Sequence, residues 1–208
     1  MTHPQTLGVV LAGGRARRMG GADKAQIEIG GATILQRVLD RIRPQCRRVI
    51  LNTNADPQRF AATGLPVVAD SVPDFAGPLA GILAALDWTA EHAPQSDWLL
   101  SVPSDCPFLP RDLAARLHRA RIEATAQLAC ASSGARRHPV IALWPVRLRE
   151  DLRRALTVED VRKVDEWTAN YTVGVAEWPI TPIDPFFNVN TPEHAAEAKR
   201  LAARFPEV

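Results

Sequence analysis

Apolar and polar positions along the chain follow two periods, and the switches between them outline the fold. "LGVVLA" (7–12) is short, apolar and closed by glycines, which predicts a buried strand. In "TILQRVLDRI" (33–42), Ile34, Leu35, Val38 and Ile42 share one helical face. "RRVILN" (47–52) reads as a strand, "PQRFAAT" (57–63) as a short helix and "LPVVAD" (65–70) as a third strand. "GPLAGILAALDWTAEH" (77–92) predicts a helix, with Leu79, Ile82, Leu83 and Leu86 at i, i+3, i+4 and i+7 and Pro78 at its first position. A strand at 97–102 and a helix at 110–122 follow.

Beyond residue 125 the periodicity weakens. "AQLACAS" (126–132) and "HPVIALW" (138–144) read as two strands of a β-ribbon, 147–156 and 158–167 as helices, and "YTVGVAEW" (171–178) as a strand. The C-terminal segment ends in a helix capped by Thr191, with Pro192 in its first turn and Ala195, Ala198, Leu201, Ala202 and Phe205 on one face. Strands alternating with helices predict a three-layer α/β/α fold around a mostly parallel sheet. Ligands of such sheets bind beyond the carboxyl ends of the strands, so the loops after 7–12, 47–52, 65–70 and 97–102 are the expected site.

Composition narrows the class. The chain has 208 residues, 46% hydrophobic and 23% charged, which fits one ordinary globular domain. Its net charge of +2 gives no bulk attraction for nucleic acid. Cys46, Cys106 and Cys130 show no zinc-ligand spacing and suit a reducing compartment. With no signal-peptide pattern and no membrane-length apolar run, a cytoplasmic protein is expected.

Chemistry concentrates in the loops. "LAGGRARRMGGADK" (11–24) combines four glycines with Arg15, Arg17, Arg18 and Lys24. Glycine backbone can approach a ligand closely, and consecutive N–H groups form an anion nest. The loop is therefore a candidate triphosphate cradle, although it carries neither a Walker A pattern nor a dinucleotide fingerprint. In "SVPSDCPFLP" (101–110), Asp105 follows a strand and stands between two prolines, well placed to hold Mg²⁺. Asn52 and Asp70 close strands, and Asn188 and Asn190 alternate just before the last helix. Turn formation alone could account for Asn52, Asp70 or Asp105. Cys106 reads as a packed residue, and His138, before Pro139, as structural.

The stretches "LAGGRARRMGGADK", "GPLAGILAAL", "SVPSDCPFLP", "HPVIAL" and "FFNVNTPEH", in this order over nearly the whole chain, resemble the molybdenum cofactor guanylyltransferase family of the nucleotide-diphospho-sugar-transferase-like fold. The first loop is shared by nucleotidyltransferases at large. "LAGG" with "GPLAG" narrows the resemblance to guanine users, since cytidylyltransferase relatives show LAAG and lack GPLAG. Cys106 departs from the Thr, Met or Gln usual there.

The resemblance implies a Rossmann-like nucleotidyltransferase domain over 1–208, its N-terminal half binding nucleotide and its C-terminal half pterin. Leu11, Ala12 and Gly13 would line the guanine nucleotide through their backbone, Lys24 would contact its phosphates, and Asn52 and Asp70 the nucleoside. Asp105 would bind Mg²⁺, or Mn²⁺, beside the nucleotide. Asn188 and Asn190 would hold the pterin or close the site. Arg18, Lys24 and Asp105 would carry catalysis. The implied substrates are GTP and molybdenum-molybdopterin, with transient contacts to other molybdenum cofactor biosynthesis proteins and a monomer or weak homo-oligomer. A cytidylyltransferase or sugar-phosphate nucleotidyltransferase, and a GTP-binding regulator without transfer chemistry, are the competing readings.

Overall fold

In the computed structural model, residues 4–13, 26–72 and 77–207 are described. Among them, seven strands form one sheet in the order β5-β4-β1-β6-β8-β7-β9. Four neighbours at one end are parallel: β5 (Val67–Val68), β4 (Arg48–Asn52), β1 (Thr6–Leu11) and β6 (Trp98–Pro103). The strand β8 (Arg136–Pro145) runs against both β6 and β7 (Leu128–Ser133), and β9 (Val173–Trp178) returns parallel to β7. A separate two-stranded hairpin joins β2 (Glu28–Ile29) to β3 (Ala32–Thr33).

The period-two pattern of the strands divides the core. Val10, Leu51, Leu100 and Val102 point to the layer of α1 (Ile34–Ile42), α3 (Leu113–Glu123) and α6 (Pro192–Arg204). Leu7, Val9, Ile50 and Leu99 point the other way, to α2 (Pro78–His92), α4 (Arg149–Thr157) and α5 (Val164–Thr168). Each such side chain, fully buried, contributes about 1.5–3 kcal/mol. The helix α2 is apolar on nearly every side, because it lies between the sheet and α4. Thr33 and Thr191 cap α1 and α6 by accepting from the N–H groups of Gln36 and His194.

Two expectations need correction. The strand expected over 65–70 pairs only at Val67 and Val68, because the N–H of Asp70 goes to the side chain of Asn54 instead of a neighbouring strand. The helix expected over 158–167 is reduced to α5. Its first part is a turn in which Asp160 has φ 54° and the N–H of Val161 closes back on Ala155 O. The short helix expected over 57–63 is present, wound as a 3₁₀ helix. The hairpin β2–β3 was not anticipated; its turn residues Gly30 and Gly31 both have positive φ, a conformation glycine adopts without a Cβ clash.

Candidate active site

The parallel strands β1, β4 and β6 end in register, Leu11 opposite Asn52 on one side and Pro103 on the other. Past the strands the chain stays stitched. Ala12 N–H donates to Asn52 O at 2.8 Å, Ser104 N–H to Leu11 O at 3.1 Å, and Thr53 Oγ1 to Ala12 O at 3.4 Å. The N–H of Ala12 is thus spent inside the protein. The carbonyls of Leu11 and Ala12 each keep a second lone pair, and Gly13 lies exposed at the rim. Arg18 and Lys24, with the rest of 14–25, lie outside the described residues.

Asn52 is 3% exposed. Its Nδ2 donates to Val68 O at 3.1 Å and to Asp70 Oδ1 at 2.9 Å. With both amide hydrogens engaged, the side chain cannot flip, and its Oδ1 accepts nothing from the described residues. That oxygen faces α2. A Cβ on Gly81, the last residue of "GPLAG", would lie 2.1 Å from it, and one on Gly13 would lie 3.9 Å away. Gly81 is therefore what lets the first turns of α2 close over Asn52. Asp70 is held on its other side as well: Asn54 Nδ2 donates to Asp70 Oδ2 at 2.8 Å, while Asn54 Oδ1 accepts from Asp70 N–H at 2.9 Å. Asn52 and Asn54 thus clamp one carboxylate by both oxygens. Sequence reading singled out Asn52 and Asp70 but missed Asn54 and the steric role of Gly81. The spacing Asn-Thr-Asn after a strand was the available signal.

Asp105 is half-buried on the turn that follows β6, with its Oδ1 inside the protein. Its backbone carbonyl accepts from Val189 N–H at 2.9 Å, and the next residue, Cys106, directs its Sγ to Phe186 O at 3.7 Å. Segment 104–106 therefore ties the end of β1 to the loop carrying Asn188 and Asn190. Burial, aided by Asp105 and Asp184, raises the Cys106 thiol well above its ordinary value, which matches a packed residue rather than a nucleophile. In the same loop Val189 is fully buried, Asn188 Oδ1 is buried without a partner among the described residues, and Asn190 N–H donates to His194 Nδ1.

Among the described residues no three His, Cys, Asp or Glu side chains gather into a metal cage. Asp105 offers a single carboxylate on the turn tied to the end of β1. That donor set fits Mg²⁺ or Mn²⁺ held jointly with substrate phosphates, the usual arrangement in phosphoryl-transfer sites.

The MobA-like NTP transferase domain matches residues 8–172. A molybdenum cofactor guanylyltransferase of Nitrobacter hamburgensis is 64% identical over 96% of this chain and 96% of its own length. The chain belongs to the molybdenum cofactor guanylyltransferase family. The family's architecture extends to distant structures. The molybdopterin-guanine dinucleotide biosynthesis protein A of Archaeoglobus fulgidus superposes with a TM-score of 0.71 at 21% identity, over 96% of this chain and all of that one. A Mycobacterium tuberculosis protein crystallised with manganese gives 0.67 at 17% identity, over 96% of this chain and 100% of its own. These two bear on the fold alone. Among the described residues, no helix of this family member is long and apolar enough to cross a membrane.

Proposed function

We propose that the chain transfers GMP from GTP to the terminal phosphate of molybdenum-molybdopterin, releasing pyrophosphate and forming molybdopterin guanine dinucleotide. One observation carries the choice of base: the Asn52 oxygen, fixed by two donor bonds and lying beneath Gly81 and beside Gly13. It is an acceptor that cannot turn into a donor. Guanine offers N1–H and a 2-amino group along one edge. Cytosine offers a single amino donor beside acceptor atoms, so it would leave acceptors facing each other. The second lone pairs of the Leu11 and Ala12 carbonyls add to the same preference.

The chemistry asks little of proton transfer. A phosphate monoester is ionised near neutral pH, so it attacks the α-phosphorus of GTP without a general base. A new P–O bond to the pterin phosphate forms as the bond to pyrophosphate breaks. Positioning and charge neutralisation then do the catalysis. Gly13 and the loop that follows receive the triphosphate, with Lys24 and Arg18 as its cations. Asp70, clamped by Asn52 and Asn54, holds the nucleoside. Asn188 and Asn190 hold the pterin, which divides the chain into a nucleotide-binding N-terminal half and a pterin-binding C-terminal half. Asp105 would hold Mg²⁺ or Mn²⁺, and the ion would supply charge neutralisation for the triphosphate.

The test is a panel of GTP, CTP and ATP with molybdenum-molybdopterin, scored for pyrophosphate and for the pterin–nucleotide product. An unpaired buried polar edge costs about 1–3 kcal/mol, so GTP should lead CTP by about tenfold or more. Equal use of CTP overturns the guanine assignment and favours a cytidylyltransferase. Nucleotide consumption without a pterin product overturns the acceptor.

A further inference from the structure

At the rim beside Asp105, three polar side chains from three separate segments form a hydrogen-bonded line. Ser133 ends β7, His138 lies near the start of β8, and Asp184 follows β9. Asp184 Oδ1 accepts from Ser133 Oγ at 2.9 Å and from Phe186 N–H at 3.0 Å. Because the single Ser133 proton goes to Asp184, the Ser133 oxygen is the acceptor for His138, whose Nε2 lies 2.9 Å away. This assigns the imidazole proton to Nε2. The His138 ring also packs on Phe186, centroid to centroid 4.7 Å, and Phe186 meets the Trp178 ring edge-on at 5.4 Å.

The line ends in the loop that faces the acceptor. Asp184 closes a turn by accepting Phe187 N–H on its backbone carbonyl at 3.1 Å. Asn188 follows directly, and then Val189, whose N–H reaches Asp105 O. Orientation passes from His138 through Ser133 to Asp184, and from there to Asn188 and to the backbone of Asp105.

We propose that Ser133, His138 and Asp184 are positioning residues that seat the 184–190 loop for the acceptor substrate. The proposal rests on the reading of the acceptor side given above. A purely structural brace could be apolar, since a buried polar line is favourable only when every member is satisfied. Here each named bond is directional, and Ser133 is 3% exposed. Burial lowers the His138 pKa and Arg136 lowers it further, while Asp184 and Glu177 raise it, and the net direction favours the neutral ring. Glu177 belongs to the same brace, accepting from Ser132 Oγ and from Ala135 N–H on the ribbon turn.

The test uses the full chain and two readouts. Hydrogen exchange in the free protein should show His138→Leu and Ser133→Ala accelerating the amides of Phe186, Phe187 and Val189 by about tenfold, the scale of one lost charge-assisted bond, with β4 unchanged. In the transfer assay the same variants should raise KM for molybdenum-molybdopterin by a similar factor and leave KM for GTP alone. His138→Gln, which keeps a donor near the Nε2 position, should recover most of the loss. If His138→Leu does not fold, Ser133→Ala, which removes one hydroxyl, carries the test. Unchanged exchange in 184–190 overturns the proposal. So does a loss shared equally between GTP and acceptor, or one that tracks the fall in Tm without rescue by Gln. Should the wild-type chain make no pterin product, the functional reading fails, and with it the acceptor role of the loop. The exchange measurement would then still decide whether the line seats 184–190.

Discussion

Gly81 and Asn52 occupy the same space but for one missing methyl group: a Cβ on Gly81 would stand 2.1 Å from Asn52 Oδ1 and 2.8 Å from its Cγ. Asn52 cannot yield, because its amide is fixed to Val68 and Asp70. Gly81→Ala should therefore cost about 1–3 kcal/mol of stability, the usual penalty for overpacking. Asn52→Ala should be destabilising as well, through the partners it abandons. The two changes together should cost less than their sum, because each relieves what the other creates. Urea unfolding of the two single variants and the double variant checks this. Simple additivity would mean that the contact is relieved elsewhere.

Removing Asn54 takes two bonds from Asp70, one to its carboxylate and one from its backbone N–H. Asn54→Ala should raise KM for GTP by about tenfold or more with little change in kcat, because the lost bonds aim and anchor a binding group. Asn54→Asp should be worse despite its equal size. It sets a second carboxylate against the first, where the amide nitrogen now stands 2.8 Å away, and like charges so placed resist joint ionisation. Steady-state kinetics with varied GTP separates the two variants.

Asp105→Asn should lower kcat by about 10² or more and leave the far-ultraviolet circular dichroism unchanged. The distinction is available because the bond from Val189 goes to the Asp105 backbone and survives the substitution. Chelation of divalent cations should abolish transfer in the wild type, and Mg²⁺ or Mn²⁺ should restore it. Near-normal turnover by Asp105→Asn would return this carboxylate to an ordinary turn role.

Alkali should weaken the fold partly through Cys106. Its thiol pKa is raised in the folded state, chiefly by burial. The unfolded thiol ionises near pH 8.5, so the stability tied to this group is complete below about that point and is lost as pH rises toward the folded value. The loss approaches about 1.4 kcal/mol per pH unit. Cys106→Ala should lose correspondingly less stability between pH 7 and pH 10 than the wild type, as measured by urea unfolding. Equal losses in both proteins would place the alkaline sensitivity elsewhere.

Legibility in the sequence followed the range of the forces involved. The strand β1 and the helices α2 and α6 were readable because periodicity, Pro at the first turn and the Thr191 cap act over a few residues. The helix expected over 158–167 failed because a single residue, Asp160, adopts a positive φ that no local pattern announced. In the candidate site, Asn52, Asp70 and Asp105 stand out in the sequence as polar residues at or just past the ends of apolar runs. Asn54 and Gly81 do not, because their roles are pairwise: Asn54 acts on a residue 16 positions away, and Gly81 acts by what it lacks. His138 was read as structural, and its bond to Ser133 and contact with Phe186 became visible only when three segments met at one rim.

The reversal of β8 has a consequence for how such a transferase diversifies. Because β8 runs backwards, its beginning, the end of β7 and the end of β9 all open onto the edge where β1, β4 and β6 finish. The edge is served by two separate suites of connections, one drawn from the parallel strands and one from the ribbon and its successor. They meet at Asp105 and Cys106, which contact Val189 N–H and Phe186 O. On the function proposed above, donor and acceptor preferences are written on different stretches of chain, and a new acceptor is reached by exchanging the second suite while the first stays intact.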